Sequence, residues 1–172
     1  MLQYTKFHFC PSCGKKRIEG FRENCLRCID CGFVYFHNCA AAVAGIIEFE
    51  ERIILTKRGA EPRKGYYDLP GGFVFYRESL EDALSREIKE ELNLRISHWQ
   101  YLGSFPNIYL FGAVTYFTTD AIFMASNSNL AGLRTDKEIA EVIFVNPKKI
   151  DWDQIAFESI KQGLKKYQEG LK

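Results

Sequence analysis

The sequence predicts an α/β fold in which helices cover a sheet on two sides, preceded by a small cysteine-stapled unit. Three observations carry this expectation. Apolar, β-rich runs recur between residues 39 and 145, two segments show helical periodicity, and four of the six cysteines fall in two CxxCG units near the N-terminus.

The cysteines come first along the chain. CPSCG (Cys10, Cys13, Gly14) and CIDCG (Cys28, Cys31, Gly32) carry two CxxC pairs with 14 residues between Cys13 and Cys28. Each CxxC turn offers two thiolates on one side, and the glycine that follows can take the left-handed conformation such a turn needs. Two turns complete a tetrahedral zinc site, so a zinc ribbon is expected over residues 1–38 and a second domain over 39–172. A segment of that size cannot hold a core unaided. Redox chemistry is disfavoured because no strand-helix context follows either motif. Cys25, Cys28 and Cys31 recur every third residue, so Cys25 could replace an assigned ligand, but Gly32 favours Cys28 with Cys31. Cys39, in CAAAVAGII, reads as a buried strand residue, and His8 and His37 are weaker ligand substitutes.

Residues 39–49 and 52–58 read as two strands of a hairpin around a Glu50-Glu51 turn. Residues 59–72, GAEPRKGYYDLPGG, form an ordered loop anchored by Tyr66, Tyr67 and Leu69. A helix follows. Ser79 with Asp82 makes a capping start, Leu80, Leu84, Ile88 and Leu92 form an i+4 stripe, and Asn93 stands where the left-handed stop is expected. Residues 99–105, 108–119, 121–125 and 141–145 read as strands. Residues 151–168 read as a closing amphipathic helix on Ile155, Ile160, Leu164 and Tyr167, with basic residues late.

Composition narrows the function. At 172 residues, 47% apolar and 26% charged, the chain is expected to be a soluble globular protein. The short apolar runs near the N-terminus, bounded by Lys6, His8 and Cys10, are not those of a signal peptide or a membrane span, so a cytoplasmic location is expected. A net charge of +1 gives no global pull toward nucleic acid or anionic membrane. Residues 1–32 hold Lys6, Lys15, Lys16, Arg17, Arg22 and Arg27 against Glu19, Glu23 and Asp30, and four thiolates on zinc reduce that surplus of three to about one. Nucleic acid is therefore a disfavoured partner.

The segment SREIKEELNL places Glu87, Glu90 and Glu91 on one face of the last helical turn, where like charges repel and the macrodipole disfavours acids. A hard divalent cation such as Mg²⁺ would offset both penalties. A solvated face, with Arg86 and Lys89 nearby, is the plainer alternative for this segment alone.

The wider pattern discriminates. From Gly72 the chain reads Gly, five residues, Glu78, seven residues, Arg86-Glu87, Ile88, Lys89, Glu90-Glu91, Leu92, Asn93, Leu94. This resembles the Nudix box at every defined position except Asn93, where the family has Gly, and LPGG (Leu69 to Gly72) resembles the family as well. The resemblance covers residues 40 to about 165, and the CxxCG pair is similar to the zinc-ribbon branch that includes NADH, FAD and ADP-ribose pyrophosphatases.

It implies a Nudix-type α/β/α sandwich with a mixed sheet, and Mg²⁺- or Mn²⁺-dependent hydrolysis of a nucleoside diphosphate linked to X. By that resemblance Glu87, Glu90 and Glu91 hold the divalent ions, and Arg86 pairs with Glu78 to brace loop and helix. Glu138, in DKEIAEV, is the further acid from a late loop, with Asp136 and Glu141 behind it; a charged, solvated turn is the alternative there. Glu90 and Glu87 stand ahead of Glu138 as the general base. The expected substrate-binding set is Arg58, Gly71, Gly72, Phe73, Phe105 and Tyr109, with Phe75 and Tyr76 as further stacking candidates and Arg77 as a phosphate contact or a solvated charge. The SQPWPFPxS signature of NADH pyrophosphatases is reduced here to Ser-Phe-Pro within YLGSFPNIY, which moves weight to ADP-ribose, FAD or another dinucleotide. The implied partner is a small dinucleotide or nucleotide sugar, with no membrane, and a homodimer is compatible. A non-catalytic nucleotide-sensing regulator on the same fold is the alternative.

Overall fold

The cysteine-rich segment forms a three-stranded antiparallel sheet, β1 (Ile18–Arg22), β2 (Cys25–Cys28) and β3 (Val34–Phe36). This computed structural model describes residues 7–22, 24–112, 114–126 and 129–171. Lys6 and Glu23 of the ribbon charge balance, and Ala113 of an expected strand, lie outside the described residues.

A second, seven-stranded sheet follows. Its strands are β4 (Ala40–Phe49), β5 (Arg52–Arg58), β6 (Tyr67–Asp68), β7 (Gly71–Phe73), β8 (Gln100–Phe111), β9 (Val114–Ser126) and β10 (Ile139–Val145). The main order is β10-β5-β4-β9-β8, with β6 on β5 and β7 on β4. β4 runs parallel to β9 and every other pairing is antiparallel, so the sheet is mixed.

Period-two alternation sends neighbouring residues to opposite faces, and both faces are apolar. Val43, Ile47, Ile54, Ala121 and Phe123 pack beneath α1 (Leu80–Leu92) with Leu84, Ile88 and Leu92. Ala44, Ile46, Ile53, Leu55 and Ile122 pack beneath α2 (Glu158–Gly170) with Ile160, Leu164 and Tyr167. Helices therefore cover both faces. No helix is long and apolar enough to cross a membrane among the described residues.

The turn and cap expectations hold in detail. Glu50 and Glu51 both take positive φ, +48° and +59°, which a tight two-residue hairpin requires. Ser79 accepts from the Asp82 amide at 3.1 Å, and Asn93 closes α1 at φ 55° with its amide on the Lys89 carbonyl.

Four expectations are corrected. The segments 99–105, 108–119 and 121–125 are one long hairpin, β8 with β9, because Pro106 sits on the outermost strand, where its missing N–H is tolerated. The loop 59–72 contains β6 and the start of β7. The closing helix starts at Glu158, because Asp151 and Asn146 each cap a short 3-10 turn through their side chains; its last turn carries no basic residue. Cys39 is exposed, since it precedes β4 at the end of the sheet, and its Sγ lies 3.3 Å from Thr119 Oγ1.

Candidate active site

Gly71 and Gly72 bring the β7 backbone against two elements at once. Gly71 has φ +151°, and a Cβ there would lie 2.1 Å from the Val43 carbonyl oxygen; a Cβ on Gly72 would lie 2.5 Å from Glu87 Oε1. Only glycine lets the strand lie this close to both β4 and the last turns of α1. The Gly71 amide, freed on that side, donates to Glu91 Oε2 at 3.0 Å.

Arg86 holds the acidic face in order. Its Nε and Nη2 donate to the two Glu78 oxygens at 2.7 and 3.0 Å, in the fork geometry that a guanidinium offers a carboxylate. Nη1 donates to Glu87 Oε1 at 2.8 Å and to Glu90 Oε2 at 3.1 Å, and Nη2 also reaches the Phe73 carbonyl at 3.1 Å. The guanidinium lies 4.2 Å from the Phe75 ring centroid. Glu78 in turn accepts from the Phe75 amide at 3.0 Å, so loop and helix are tied together through one cation.

Burial separates the three helix carboxylates. Desolvation raises the Glu91 carboxyl well above the usual range, against the pull of the Gly71 amide, and the Glu87 charge adds to the rise. Glu87 is also raised, chiefly by burial, with Arg86 opposing. Glu78 is lowered, first by its hydrogen bonds from Arg86. Glu90 is exposed.

Two adjoining cavities of about 360 and 300 Å³ form a cleft beside this turn. Arg58, Asp68, Leu69, Gly71, Glu91, Tyr109 and Glu138 line both, while Gly72, Phe73, Phe75, Glu87 and Phe157 line the second alone. Most of the expected substrate set therefore shares one cleft. Phe105 does not line it, because it packs against the core cluster that contains Ile160 and Leu164 of α2. Tyr76 is 86% exposed.

Sequence reasoning missed Asp68, Asp120 and Phe157. Asp68 is buried and accepts from Arg58 Nη1 at 2.8 Å; burial raises its carboxyl despite that cation. Arg58 also donates to the Pro62 carbonyl at 2.7 Å and to the Tyr109 hydroxyl at 3.4 Å, and lies 5.0 Å from the Phe157 ring, so each of its three nitrogens has a partner. Asp120, also buried, accepts from Thr118 Oγ1 at 2.5 Å and from Ser159 Oγ at 2.6 Å, which ties the first turn of α2 to the cleft floor. A lone acid inside an apolar strand, as in TTDAIFM, is the one signal that pointed to Asp120.

Two donor sets suit metal ions. The sulfurs of Cys10, Cys13, Cys28 and Cys31 all lie within 4.8 Å of one another, with Cys10 to Cys31 and Cys13 to Cys28 at 3.7 Å. Zn–S bonds of about 2.3 Å put the edge of a tetrahedron near 3.8 Å, so these four fit zinc and Cys25 stands outside the set. Among the described residues no carboxylates close to the same distance. Glu87 and Glu91 nonetheless offer desolvated oxygens beside a space that a Cβ on Gly72 would fill, a donor set that fits a hard divalent cation.

Residues 37–165 match the NUDIX domain family. The chain belongs to the Nudix family. It is 52% identical over 61 residues to an ADP-ribose pyrophosphatase of Methanocaldococcus jannaschii, a match covering 36% of each chain. It is 33% identical over 116 residues to an NAD-capped RNA hydrolase, NudC, of Haemophilus influenzae, covering 63% of this chain and 44% of that one. The matches thus span less than half the length of these curated relatives. A Nudix hydrolase from Nitrosomonas europaea superimposes with a TM-score of 0.72 at 27% identity, over 95% of this chain and 91% of that one. The Nudix domain of Shewanella oneidensis NrtR, solved with ADP-ribose, shares the fold at 19% identity and a TM-score of 0.64, over 80% of this chain and 91% of that one.

Proposed function

We propose that the protein hydrolyses the pyrophosphate bond of a nucleoside diphosphate linked to a second group, with ADP-ribose, FAD or an NADH-like dinucleotide as the substrate class and Mg²⁺ or Mn²⁺ as cofactor. The observation that carries this reading is the pair of desolvated carboxylates, Glu87 and Glu91, set against the Gly71-Gly72 backbone on the wall of the cleft. The names of the two curated relatives support the reaction class.

Glu87, Glu90 and Glu91 would hold the divalent ion, which would supply charge neutralisation for the phosphates and activation of the attacking water. Arg86 orients Glu87 and Glu90 by donating to both, and Glu78 keeps Arg86 in place. Glu90 and Glu87 on the helix, or Glu138 across the cleft, accept the proton of the attacking water. Phe73 and Tyr109 meet edge to face at 5.5 Å and give the nucleoside an aromatic wall, with Phe157 continuing it 5.5 Å from Tyr109. Zinc on the four cysteines is structural, and six free cysteines suit a reducing cytoplasm.

The test is turnover of ADP-ribose, FAD, NADH and nucleotide sugars with Mg²⁺ or Mn²⁺, resolving the mononucleotide product, for the wild type and for Gln variants at Glu87, Glu90, Glu91 and Glu138. Hydrolysis of at least one compound is expected, with a loss of roughly 10²-fold or more for the variant that removes the base. Tight binding of one compound with no turnover of any would replace this reading with a nucleotide-sensing regulator.

A further inference from the structure

Most polar side chains of the cleft already have partners inside the protein. Asp68 accepts from Arg58 and from the Leu69 amide at 2.9 Å, and each nitrogen of Arg58 is occupied. The Thr118 hydroxyl is spent on Asp120, whose second oxygen takes Ser159. Asn107 is different. It lines the cavity of about 300 Å³, it is half-buried, and among the described residues its side-chain amide has no hydrogen-bond partner.

The pleat fixes where that amide points. Asn107 lies opposite Thr118 and two residues before Tyr109, so the three side chains leave the sheet on the same face. This is the face that α2 covers, since the Phe157 ring at the start of that helix lies 5.5 Å from the Tyr109 ring. The floor beneath is held in place, because Thr118 and Ser159 both donate to Asp120 and pin the first turn of α2 to β9. From the Gly72 and Glu87 wall the cleft passes Phe73 and then Tyr109, whose rings meet at 5.5 Å, and reaches Asn107. A planar ring entering along this path meets aromatic side chains at its faces and a free amide at its edge.

On the reading of this cleft as a nucleoside diphosphate site, on which the inference rests, we infer that Asn107 is a specificity-determining residue that reads the adenine edge of the substrate. Its carbonyl accepts from the exocyclic amine and its NH₂ donates to the neighbouring ring nitrogen, the two-bond match between an asparagine amide and adenine. Adenine is the ring shared by ADP-ribose, FAD and NADH, and ADP-ribose has no other ring base to offer. The contact is remote from the reacting phosphorus, so it acts on binding.

The experiment takes whichever of ADP-ribose, FAD or NADH is turned over fastest and compares it with its counterpart in which unsubstituted purine, lacking the exocyclic amine, replaces adenine. For the wild type, kcat/KM should fall roughly 10-fold or more on the purine compound, with the change in KM and kcat held within about twofold. Asn107→Ala should lose a similar factor on the adenine compound and treat the two alike, with an unchanged melting temperature, since the side chain bonds nothing in the protein. Equal kcat/KM for the two compounds with the wild type, or discrimination that survives in Asn107→Ala, would overturn the inference. If the wild type turns over none of the three, the hydrolase reading falls and calorimetry with the uncleavable α,β-methylene analogue of ADP-ribose decides the inference separately. Weaker binding by Asn107→Ala than by the wild type supports it; equal binding, or no binding by the wild type, overturns it.

Discussion

Replacing Arg86 by alanine removes one cation from five polar contacts at once, to Glu78 twice, Glu87, Glu90 and the Phe73 carbonyl. Breaking a buried ion pair by deleting one partner costs about 3–5 kcal/mol, because the other charge is left uncompensated. Here the side chains of Arg86, Glu78 and Glu87 are 21%, 20% and 15% exposed, so solvent screens part of that loss. Roughly 2–3 kcal/mol remains, which for a chain of this size corresponds to a fall in melting temperature of about 4–12 °C. Arg86→Lys should recover less than half, since a single ammonium cannot reproduce the two-pronged contact with Glu78. Thermal unfolding of Arg86→Ala, Glu78→Gln and the double variant forms a cycle, and the double variant is expected to lose clearly less than the two single losses added together. A coupling near zero, with Arg86→Ala melting within one degree of the wild type, would refute the idea that this cation ties the loop to the helix.

Two further outcomes are expected. Zinc content measured by atomic emission should be one per chain in the wild type and in Cys25→Ser, and should fall in Cys28→Ser; loss of zinc from Cys25→Ser would mean that the ligand set is wrong. Tyr167 donates to Glu48 Oε1 at 2.5 Å, and burial first, then Glu48, raises its phenol above the ordinary tyrosine value. The folded state thus holds that proton more tightly than the unfolded chain, so the contribution is intact below about pH 10 and is lost as pH rises through the folded-state value. Tyr167→Phe should therefore flatten the alkaline fall in stability, and parallel unfolding curves for the two proteins above pH 10 would contradict the assignment.

What could be read in advance follows from how local the cause is. Helix α1 was legible because Ser79, the i+4 stripe and Asn93 act within a few residues of one another. The four zinc-fitting cysteines were legible because a metal dictates spacing. The hairpin of β8 and β9 was not, because whether Pro106 breaks a strand depends on its lying at the sheet edge, which only the complete pairing establishes. Asp68 and Asp120 escaped for a related reason: their partners, Arg58 and Ser159, come from elements 10 and 39 residues away. Phe105 was misplaced because an aromatic in a strand has no local mark that separates core from cleft.

The parallel contact of β4 with β9 has a cost for the cell. Ala40 meets Thr118 and Glu48 meets Ser126, so the middle of the sheet joins stretches of chain nearly eighty positions apart. During translation, the first of these strands leaves the ribosome with one flank open until the second has been made. Until then it offers an adhesive ribbon of Val43, Ile46 and Ile47 to neighbouring nascent chains. Folding should be slow for a protein of this size, and expression at lowered temperature or with added chaperone should raise its soluble yield.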